Sequence, residues 1–394
     1  MSDKSTSKLH HSSFIVDGHA DTFWRMAMKA NPPARPGTAK YKYFRNTPDF
    51  FTGIPPTKPG QMARSHTDFQ RLKMGGTSLQ FMAAYTPPSY TGLEATTYAL
   101  RMVFEILHGV RSSTVLASEA RQSNKLRLLR SSRGDSLAMT PRQTTPIEPI
   151  TLVKSADDLT DLVRRDGMGF LINIEGGNPL NKDIGMIKVF YDLGVRSLGL
   201  THSVRNDLGD GIHVKNPKGL TPFGKSVVKE LNRLNMLIDV AHLAKPGFND
   251  VARIAQGPII SSHTGIRRLR DITRNLDDEQ IKEIARRKGV IGIMYLPEFI
   301  IGGTLSYQEI AKQKLICRPR DVVDHIAYVA DKFGVDYVGL GSDWDGYNGV
   351  THGLEDCSYL PNLTVELVRR GFNQAEIRKI LGGNFVRVIK QVLR

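Results

Sequence analysis

Short apolar runs rich in β-branched residues recur along the chain, and each ends in Gly, Ser, Asp or His. Such runs predict β-strands that stop at turn-forming or chemically active residues. The sequence contains eight of them, and the predicted strands span residues 14–21, 79–85, 168–175, 195–203, 237–243, 258–264, 290–296 and 337–343.

The segments between the strands show the apolar periodicity of helices. Strand–helix alternation predicts a parallel sheet, and eight units predict closure into an α/β fold of the (β/α)8 TIM-barrel type. A doubly wound open sheet competes with this interpretation, but it would place functional groups near one switch point rather than on nearly every strand. The predicted helices include residues 92–109, 181–193, 222–234, 277–287, 321–333 and a closing helix at 373–392.

Two segments do not fit the repeat and are interpreted as insertions. Residues 27–65 are rich in proline and follow the first strand, so we expect them to cover the mouth of the active site. Residues 110–150 precede the third strand. We expect residues 1–13 to form a flexible tail and residues 14–394 to form a single barrel domain.

Composition limits the setting in which the protein works. The chain has 394 residues, of which 40% are hydrophobic, and no apolar stretch approaches the ~20 residues that cross a bilayer. Its start lacks the apolar segment of a secretory signal, and its end lacks the tail of a lipid anchor. Two cysteines, Cys317 and Cys357, provide no disulfide framework. A cytoplasmic protein without a membrane span or anchor is expected.

The net charge of +15 comes largely from residues 1–150, and residues 121–142 are especially basic. Contact with nucleic acid, an anionic membrane or an acidic partner is one interpretation of this charge. No aromatic residues are interleaved with the basic ones, and no nucleic-acid motif accompanies them. We therefore interpret the segment as a solvated surface insertion and expect no nucleic-acid partner.

Imidazoles and carboxylates stand at the carboxyl ends of several predicted strands. His19 and Asp21 are two residues apart, so on an extended strand both can face one cation. Glu175 ends an apolar run, where burying a carboxylate is costly unless a cation or ion pair compensates it. His242 and His263 are separated by one strand–helix–strand step, which places them on adjacent strands.

These five residues exceed the needs of one zinc ion with an open position. They suit two ions that share the two oxygens of Glu175 and hold a hydroxide between them. Asp343 closes the last strand, where it can take a proton from the attacking water and pass it to a leaving amine. His202 is a candidate for stabilising the oxyanion of a tetrahedral intermediate, and Asp345 is interpreted as a supporting carboxylate.

In this order, these residues resemble the membrane dipeptidase (renal dipeptidase) family of zinc peptidases, peptidase family M19. The resemblance runs from about Phe14 to the C-terminus and rests on many short stretches rather than on one motif. The matching stretches are residues 16–21, 174–177, 194–202, 221–234, 237–242, 260–263, 274–275, 339–346 and 353–356.

The resemblance implies a metal-dependent hydrolase barrel that cleaves dipeptides and tolerates a D-residue at the C-terminal position. It implies that His19 and Asp21 bind one zinc, that His242 and His263 bind the other, and that Glu175 bridges them. Asp343 then corresponds to the catalytic acid/base, and His202 to a histidine that contacts the substrate. Arg274 corresponds to the residue that holds the substrate carboxylate, which its guanidinium fork can do with two hydrogen bonds. Since relatives are often dimers, a homodimer is also implied.

The chain departs from the family pattern at two places. Asn178 follows Glu-Gly-Gly where relatives have histidine, and residues 204–211 lack the usual tryptophan, so the preferred side chains are expected to differ. An alternative function is therefore a related amidohydrolase that acts on N-acyl amino acids or β-lactams. A third hypothesis, a barrel without activity that binds partners through residues 121–142, conflicts with the presence of all five presumed ligands and Asp343.

Overall fold

The structure, a computed structural model, describes residues 3–24, 50–51, 57–61, 65–131, 148–305, 307–347 and 349–394. Each of the eight predicted apolar runs forms a strand, and one further strand of two residues, β3, lies in front of the third of them. The strands are β1 Ile15–Ala20, β2 Thr77–Tyr85, β3 Thr151–Leu152, β4 Gly169–Glu175, β5 Val195–Gly199, β6 Leu237–Asp239, β7 Ile259–Thr264, β8 Val290–Ile293 and β9 Val338–Leu340.

Parallel pairing closes eight of these strands into a barrel. The ring runs β1, β2, β4, β5, β6, β7, β8 and β9, and β9 pairs with β1. Strand β3 pairs only with the first residues of β4 and lies outside the ring. In the register of β2 and β4, Tyr85 is opposite Glu175. The predicted TIM barrel is confirmed, and all strands of the ring end at one face.

Helices follow most strands and pack around the barrel. Several begin where sequence chemistry predicts, as at α8, where Asp277 and Gln280 form a reciprocal capping box. The helices are α1 Asp3–His11, α2 Phe69–Met74, α3 Gly92–Ser131, α4 Ala156–Arg165, α5 Gly185–Asp192, α6 Pro222–Arg233, α7 Lys245–Ile254, α8 Asp278–Arg286, α9 Pro297–Ile300, α10 Tyr307–Lys312, α11 Pro319–Phe333, α12 Pro361–Arg370, α13 Gln374–Arg378 and α14 Asn384–Val392.

The final helix α14 contributes to an apolar cluster with the amino-terminal halves of the strands. Phe385 is fully buried and packs edge-on against Phe81, with ring centroids 5.5 Å apart. Val16, Leu79 and Leu171 belong to the same cluster. Each such buried side chain contributes roughly 1.5–3 kcal/mol of transfer free energy. Because apolar side chains fill this region, the polar chemistry lies at the carboxyl ends of the strands.

The expected flexible tail contains a helix. Helix α1 covers Asp3–His11, and its buried residues include Leu9 and His10. The His10 ring lies 2.6 Å from the Thr364 hydroxyl and 2.9 Å from the carbonyl oxygen of Gly75. The polar composition of the tail therefore conceals contacts with residues that are distant in sequence.

The boundary of the second insertion also differs from the expectation. Helix α3 does not stop near residue 109 but continues to Ser131. Gly109 lies inside this helix. A side chain at this position would lie 3.1 Å from the Phe23 ring, which shows that the ring packs closely against the helix backbone. Residues 121–131 of the basic segment are helical, and residues 132–142 lie outside the described residues. Most of the proline-rich insertion at 27–65 lies outside them as well.

Candidate metal centre

The five predicted ligands meet at the carboxyl end of the barrel, together with Asp343 and His202. His19 lies in β1 and Asp21 follows it, Glu175 ends β4, His242 follows β6 and His263 lies in β7. Their polar side-chain atoms form three overlapping groups, and within each group the atoms lie no more than 4.8 Å from one another. The groups are His19, Asp21 and Glu175; Glu175, His202 and His242; and His19, His263 and Asp343.

Glu175 stands between two sets of ligands. Its Oε2 lies 3.5 Å from Nε2 of His19, which is itself 3.4 Å from Oδ2 of Asp21. Its Oε1 lies 3.1 Å from Nε2 of His242 and 3.6 Å from Nε2 of His263. Oε2 therefore faces His19, which is itself close to Asp21, whereas Oε1 faces His242 and His263, and this is the geometry that a bridging carboxylate requires.

Two observations test whether these residues fit zinc. Nitrogen and oxygen ligands about 2.0–2.1 Å from a tetrahedral zinc are about 3.3 Å from one another, close to the separations found here. Both ring nitrogens of His19 and Oδ1 of Asp21 are buried without a hydrogen-bond partner among the residues that the structure describes. Such atoms are costly unless something binds them. The donor set therefore fits the metal.

The protonation of the site follows from burial and from these close contacts. Burial lowers the pKa of His19, but Glu175 and Asp21 outweigh it and raise that pKa well above its usual value. Burial would raise the pKa of Glu175, yet His19 and the hydrogen bond from His242 hold it well below its usual value. Burial also lowers the pKa of His242 and His263 well below the usual value. Both rings are thus neutral, as metal ligands must be.

Backbone conformation distinguishes two residues of the site. His242 has φ 62° and Asp343 has φ 65°, so both lie in the left-handed region that non-glycine residues seldom adopt. Each such residue costs on the order of 1–3 kcal/mol, and such strain is typical of functional sites. Both residues lie three positions after the last residue of their strands, β6 and β9, and both side chains belong to the cluster of polar groups.

Three glycines, in β1, in β8 and just after β9, leave room for the Ser262 carbonyl of β7 and so allow β7 to approach β1. A side chain at Gly18, Gly292 or Gly341 would lie 2.5, 2.1 or 1.9 Å from the carbonyl oxygen of Ser262. Only glycine leaves room for the backbone at these positions. The rings of His19 and His263 consequently approach to 3.9 Å between centroids. The glycines thus join the two ligand sets across the barrel.

Arg274 lies in the loop after β7 and reaches into the site. Its Nη2 donates to the carbonyl oxygen of His263 at 2.8 Å and lies 3.1 Å from Nε2 of His242. The neighbouring Asn275 accepts a hydrogen bond from the backbone of Gly265 and donates to that of Phe299, which holds the loop in place. A buried guanidinium beside the histidines is well placed to bind a carboxylate.

His202 connects the candidate metal ligands to an aromatic wall formed by Tyr85 and Trp24. Its ring lies 4.3 Å from that of His242 and 4.7 Å from that of Tyr85, and Tyr85 packs edge-on against Trp24. Burial lowers the pKa of His202, although Glu175 opposes the effect. A neutral imidazole here can still donate one hydrogen bond to a ligand.

Asp343 faces His19 and His263 and is only partly buried as a residue. Burial of its carboxyl raises its pKa to about 8, although His19 opposes this rise and Asp21 adds to it. A carboxyl that titrates near neutral pH can both accept and donate a proton. Gly346 packs beside both carboxylates. A side chain at this position would lie 2.2 Å from Oδ1 of Asp343 and 2.5 Å from Oδ2 of Asp21, so only glycine leaves room for them.

Asp345 supports the site without joining it. Its carboxylate accepts hydrogen bonds from the backbone of His66, at 2.6 Å, and from the hydroxyl of Thr67, at 2.7 Å. It therefore ties the chain that returns from the first insertion to the segment after β9. Residues that sequence reasoning did not single out are Asp17, Asp239, Gly346, Tyr85 and Trp24. For the two aspartates a signal exists, since each precedes a ligand histidine by two or three residues.

A (β/α)8 barrel that gathers imidazoles and carboxylates at the carboxyl ends of its strands defines a metal-dependent hydrolase. The family model "Membrane dipeptidase (Peptidase family M19)" matches residues 3–394. This chain therefore belongs to the membrane dipeptidase family, and the expected resemblance is confirmed.

Individual relatives agree with this assignment. The chain is 30% identical to the dipeptidase tcpJ of Claviceps purpurea (strain 20.1) over 243 residues, 61% of this chain and 55% of that protein. It is 28% identical to dipeptidase 3 of Mus musculus over 335 residues, 84% of this chain and 58% of that protein. The chain thus spans little more than half the length of these curated relatives.

Solved structures share the fold. The dipeptidase AC, a metallopeptidase of family M19, superposes with a TM-score of 0.72 at 24% identity, over 97% of this chain and 99% of that chain. A metallopeptidase from Rhodobacter sphaeroides, liganded with a phosphinate mimic of the dipeptide L-Ala-D-Ala, superposes with a TM-score of 0.69 at 22% identity. The match covers 96% of this chain and 99% of that one.

None of the helices in the described residues combines the length and the apolar character needed to cross a bilayer.

Proposed function

We propose that this chain is a dinuclear zinc dipeptidase. The observation that carries the proposal is the position of Glu175, whose Oε2 faces His19 and whose Oε1 faces His242 and His263. His19 and Asp21 would hold one ion, His242 and His263 the other, and Glu175 would contact both. When bound, zinc supplies Lewis-acid polarisation of the scissile carbonyl and lowers the pKa of water.

Arg274 binds the free carboxylate of the substrate. Its guanidinium is buried beside the histidines, where a bidentate pair with a carboxylate is strong because little water competes. This contact limits the distance between the cleaved bond and the substrate C-terminus, and it therefore favours dipeptides over longer peptides. The phosphinate mimic of L-Ala-D-Ala bound to the Rhodobacter relative supports a dipeptide substrate and a D-residue at its C-terminal position.

Asp343 and His202 act on the reacting atoms. Asp343 accepts a proton from the attacking water and delivers it to the departing amine, a task that suits a carboxyl facing the centre of the site. His202 lies on the other side of Glu175 and donates a hydrogen bond to the developing oxyanion. The aromatic wall of Tyr85 and Trp24 lies beside His202 on this side of the site.

The test measures bound zinc by elemental analysis together with hydrolysis of L-Ala-L-Ala and Gly-D-Ala. Wild type should hold two zinc ions per chain and cleave dipeptides. Glu175→Ala should hold one or none and lose at least about 10³-fold in activity, since the bound metal supplies several kcal/mol. Asp250→Asn is the control, because Asp250 lies on helix α7, outside the site, where its carboxylate accepts the backbone N–H of Leu220. It should retain both ions and the activity.

Other outcomes separate the competing functions. One ion per wild-type chain, with no dipeptide turnover but cleavage of N-acyl amino acids or a β-lactam, would favour the amidohydrolase. Wild-type protein that binds no zinc and cleaves nothing in the panel would favour the binding barrel.

A further inference from the structure

Two buried aspartates repeat one arrangement on two pairs of strands. Oδ1 of Asp17 accepts hydrogen bonds from the backbone of His19, at 3.2 Å, and of Ser342, at 3.0 Å. Oδ1 of Asp239 accepts from the backbone of Ala241 and of Ser262, both at 3.0 Å. In each case one oxygen ties the backbone two residues further along its own chain to the backbone of a serine in, or just after, the neighbouring strand.

The strand register is the same in both places. Asp17 is opposite Leu340 on β9, and Asp239 is opposite Ile260 on β7. Each aspartate therefore binds the residue two positions further along the neighbouring strand, which is a serine in both cases. The residue after each serine belongs to the site, Asp343 in one case and His263 in the other.

Burial makes these carboxylates costly. Asp17 and Asp239 are 0% and 1% exposed. Oδ2 of Asp17 has no hydrogen-bond partner among the residues that the structure describes. A buried polar atom left unpaired costs roughly 1–3 kcal/mol. An apolar residue would avoid this penalty but would release the backbone of the two segments that the aspartate holds together.

The second pair extends to a ligand ring. The Ser262 hydroxyl lies 2.8 Å from Nδ1 of His263 and also interacts with the Asp239 carboxylate. If the serine donates to Asp239, it accepts from Nδ1–H of His263, which leaves the lone pair on Nε2. Nε2 is the atom that faces Glu175. Outer partners of this kind fix the tautomer of metal-binding histidines.

We propose that Asp17 and Asp239 are positioning residues, each of which fixes one half of the metal centre. The Asp17–Ser342 pair sets the spacing of His19 and Asp343, and the Asp239–Ser262 pair sets the spacing of His242 and His263. This inference rests on the proposed function, because it requires two separate zinc sites. It predicts that each half can be weakened without the other.

The test measures zinc affinity of the metal-free protein by competition with a chromogenic chelator, independently of activity. Asp239→Ala should weaken one of the two sites by about 10–100-fold, the usual effect of removing an outer partner, and leave the other within about threefold. In an Asp21→Ala background, which retains the His242–His263 site, Asp239→Ala should again weaken binding. In a His263→Ala background it should not. Asp17→Ala should weaken zinc binding in the His263→Ala background, which retains the His19–Asp21 site, and should not weaken it in the Asp21→Ala background.

A serine pair provides a matched test that does not disturb a buried charge. Ser262→Ala should weaken the His242–His263 site, whereas Ser261→Ala should not, because the buried Ser261 hydroxyl has no hydrogen-bond partner in the described part of the chain. Asp239→Asn retains an acceptor oxygen and should restore most of the affinity.

Equal loss at both sites, or no loss in Asp239→Ala and Ser262→Ala, would overturn the proposal. If wild type itself binds fewer than two zinc ions, the dinuclear function fails instead. These two failures are therefore distinguishable.

Discussion

Buried histidines lie both in the helical layer and at the carboxyl end of the barrel, and the hydrogen-bond partners of their ring nitrogens differ between the two regions. In the helical layer, His325 accepts a hydrogen bond from the backbone of Ile266 and donates one to the carbonyl of Ile300, both at 2.9 Å. His10 on α1 is likewise paired at both ring nitrogens. In the barrel, neither ring nitrogen of His19 has a hydrogen-bond partner among the described residues.

The pKa of His19 also differs from the pKa values of the two histidines in the helical layer. Burial lowers the pKa of both His10 and His325 to about 4, so each ring stays neutral in its pair of hydrogen bonds. Glu175 and Asp21 outweigh burial at His19 and raise its pKa well above the usual value. The comparison teaches that burial alone does not identify a ligand histidine. A buried ring nitrogen that faces a carboxylate, as Nε2 of His19 faces Glu175 and Asp21, distinguishes this histidine from those of the helical layer.

The largest effect is expected where the unpaired histidine is removed. His19→Ala should abolish one zinc site and lower kcat/KM for L-Ala-L-Ala by about 10³-fold or more. The metal-free variant should be less stable than metal-free wild type by about 3–5 kcal/mol, because Glu175 and Asp21 lose the imidazolium that offsets their buried charge. Zinc should restore more stability to wild type than to the variant, and urea unfolding with and without a chelator measures this; equal stabilisation of both by zinc would contradict the prediction.

Removing a paired histidine should lower stability without affecting the metal centre. His10→Ala leaves the Thr364 hydroxyl and the Gly75 carbonyl without their buried partner, which should lower the free energy of unfolding by about 2–4 kcal/mol. Zinc content and kcat/KM of the folded enzyme should not change. Loss of zinc from a variant that remains folded would contradict the distinction between the two regions.

A smaller effect is expected from pH. The pKa of His10 is about 4 in the folded chain, against an ordinary value of 6.5. Below pH 6.5 the unfolded chain therefore binds a proton that the folded chain does not, and stability falls as the pH decreases from about 6.5 to about 4. The contribution of this histidine is on the order of 3 kcal/mol. His10→Gln should reduce the fall by that amount, measured by urea unfolding with a chelator present. Parallel pH curves for both proteins would refute the prediction.

Much of the barrel could be predicted because each strand is specified locally. A run such as residues 169–175 buries all of its residues, so its apolar pattern is continuous and its polar end is conspicuous. The helix at 3–11 and the extension of α3 beyond residue 109 could not be predicted in this way. Contacts with Thr364, Gly75 and Phe23 stabilise them, and nothing in the local pattern indicates such partners.

The sequence by itself determined the strands, their closure into a barrel, and the imidazoles and carboxylates at the strand ends. These depend on short periodic patterns and on the rule that parallel strands of a barrel end at one face. Only the tertiary structure decided which oxygen of Glu175 faces which histidines, how Arg274 reaches them, and which serines the buried aspartates bind. Those distances join residues far apart in the chain, so they depend on strand register and on the close approach of β7 to β1.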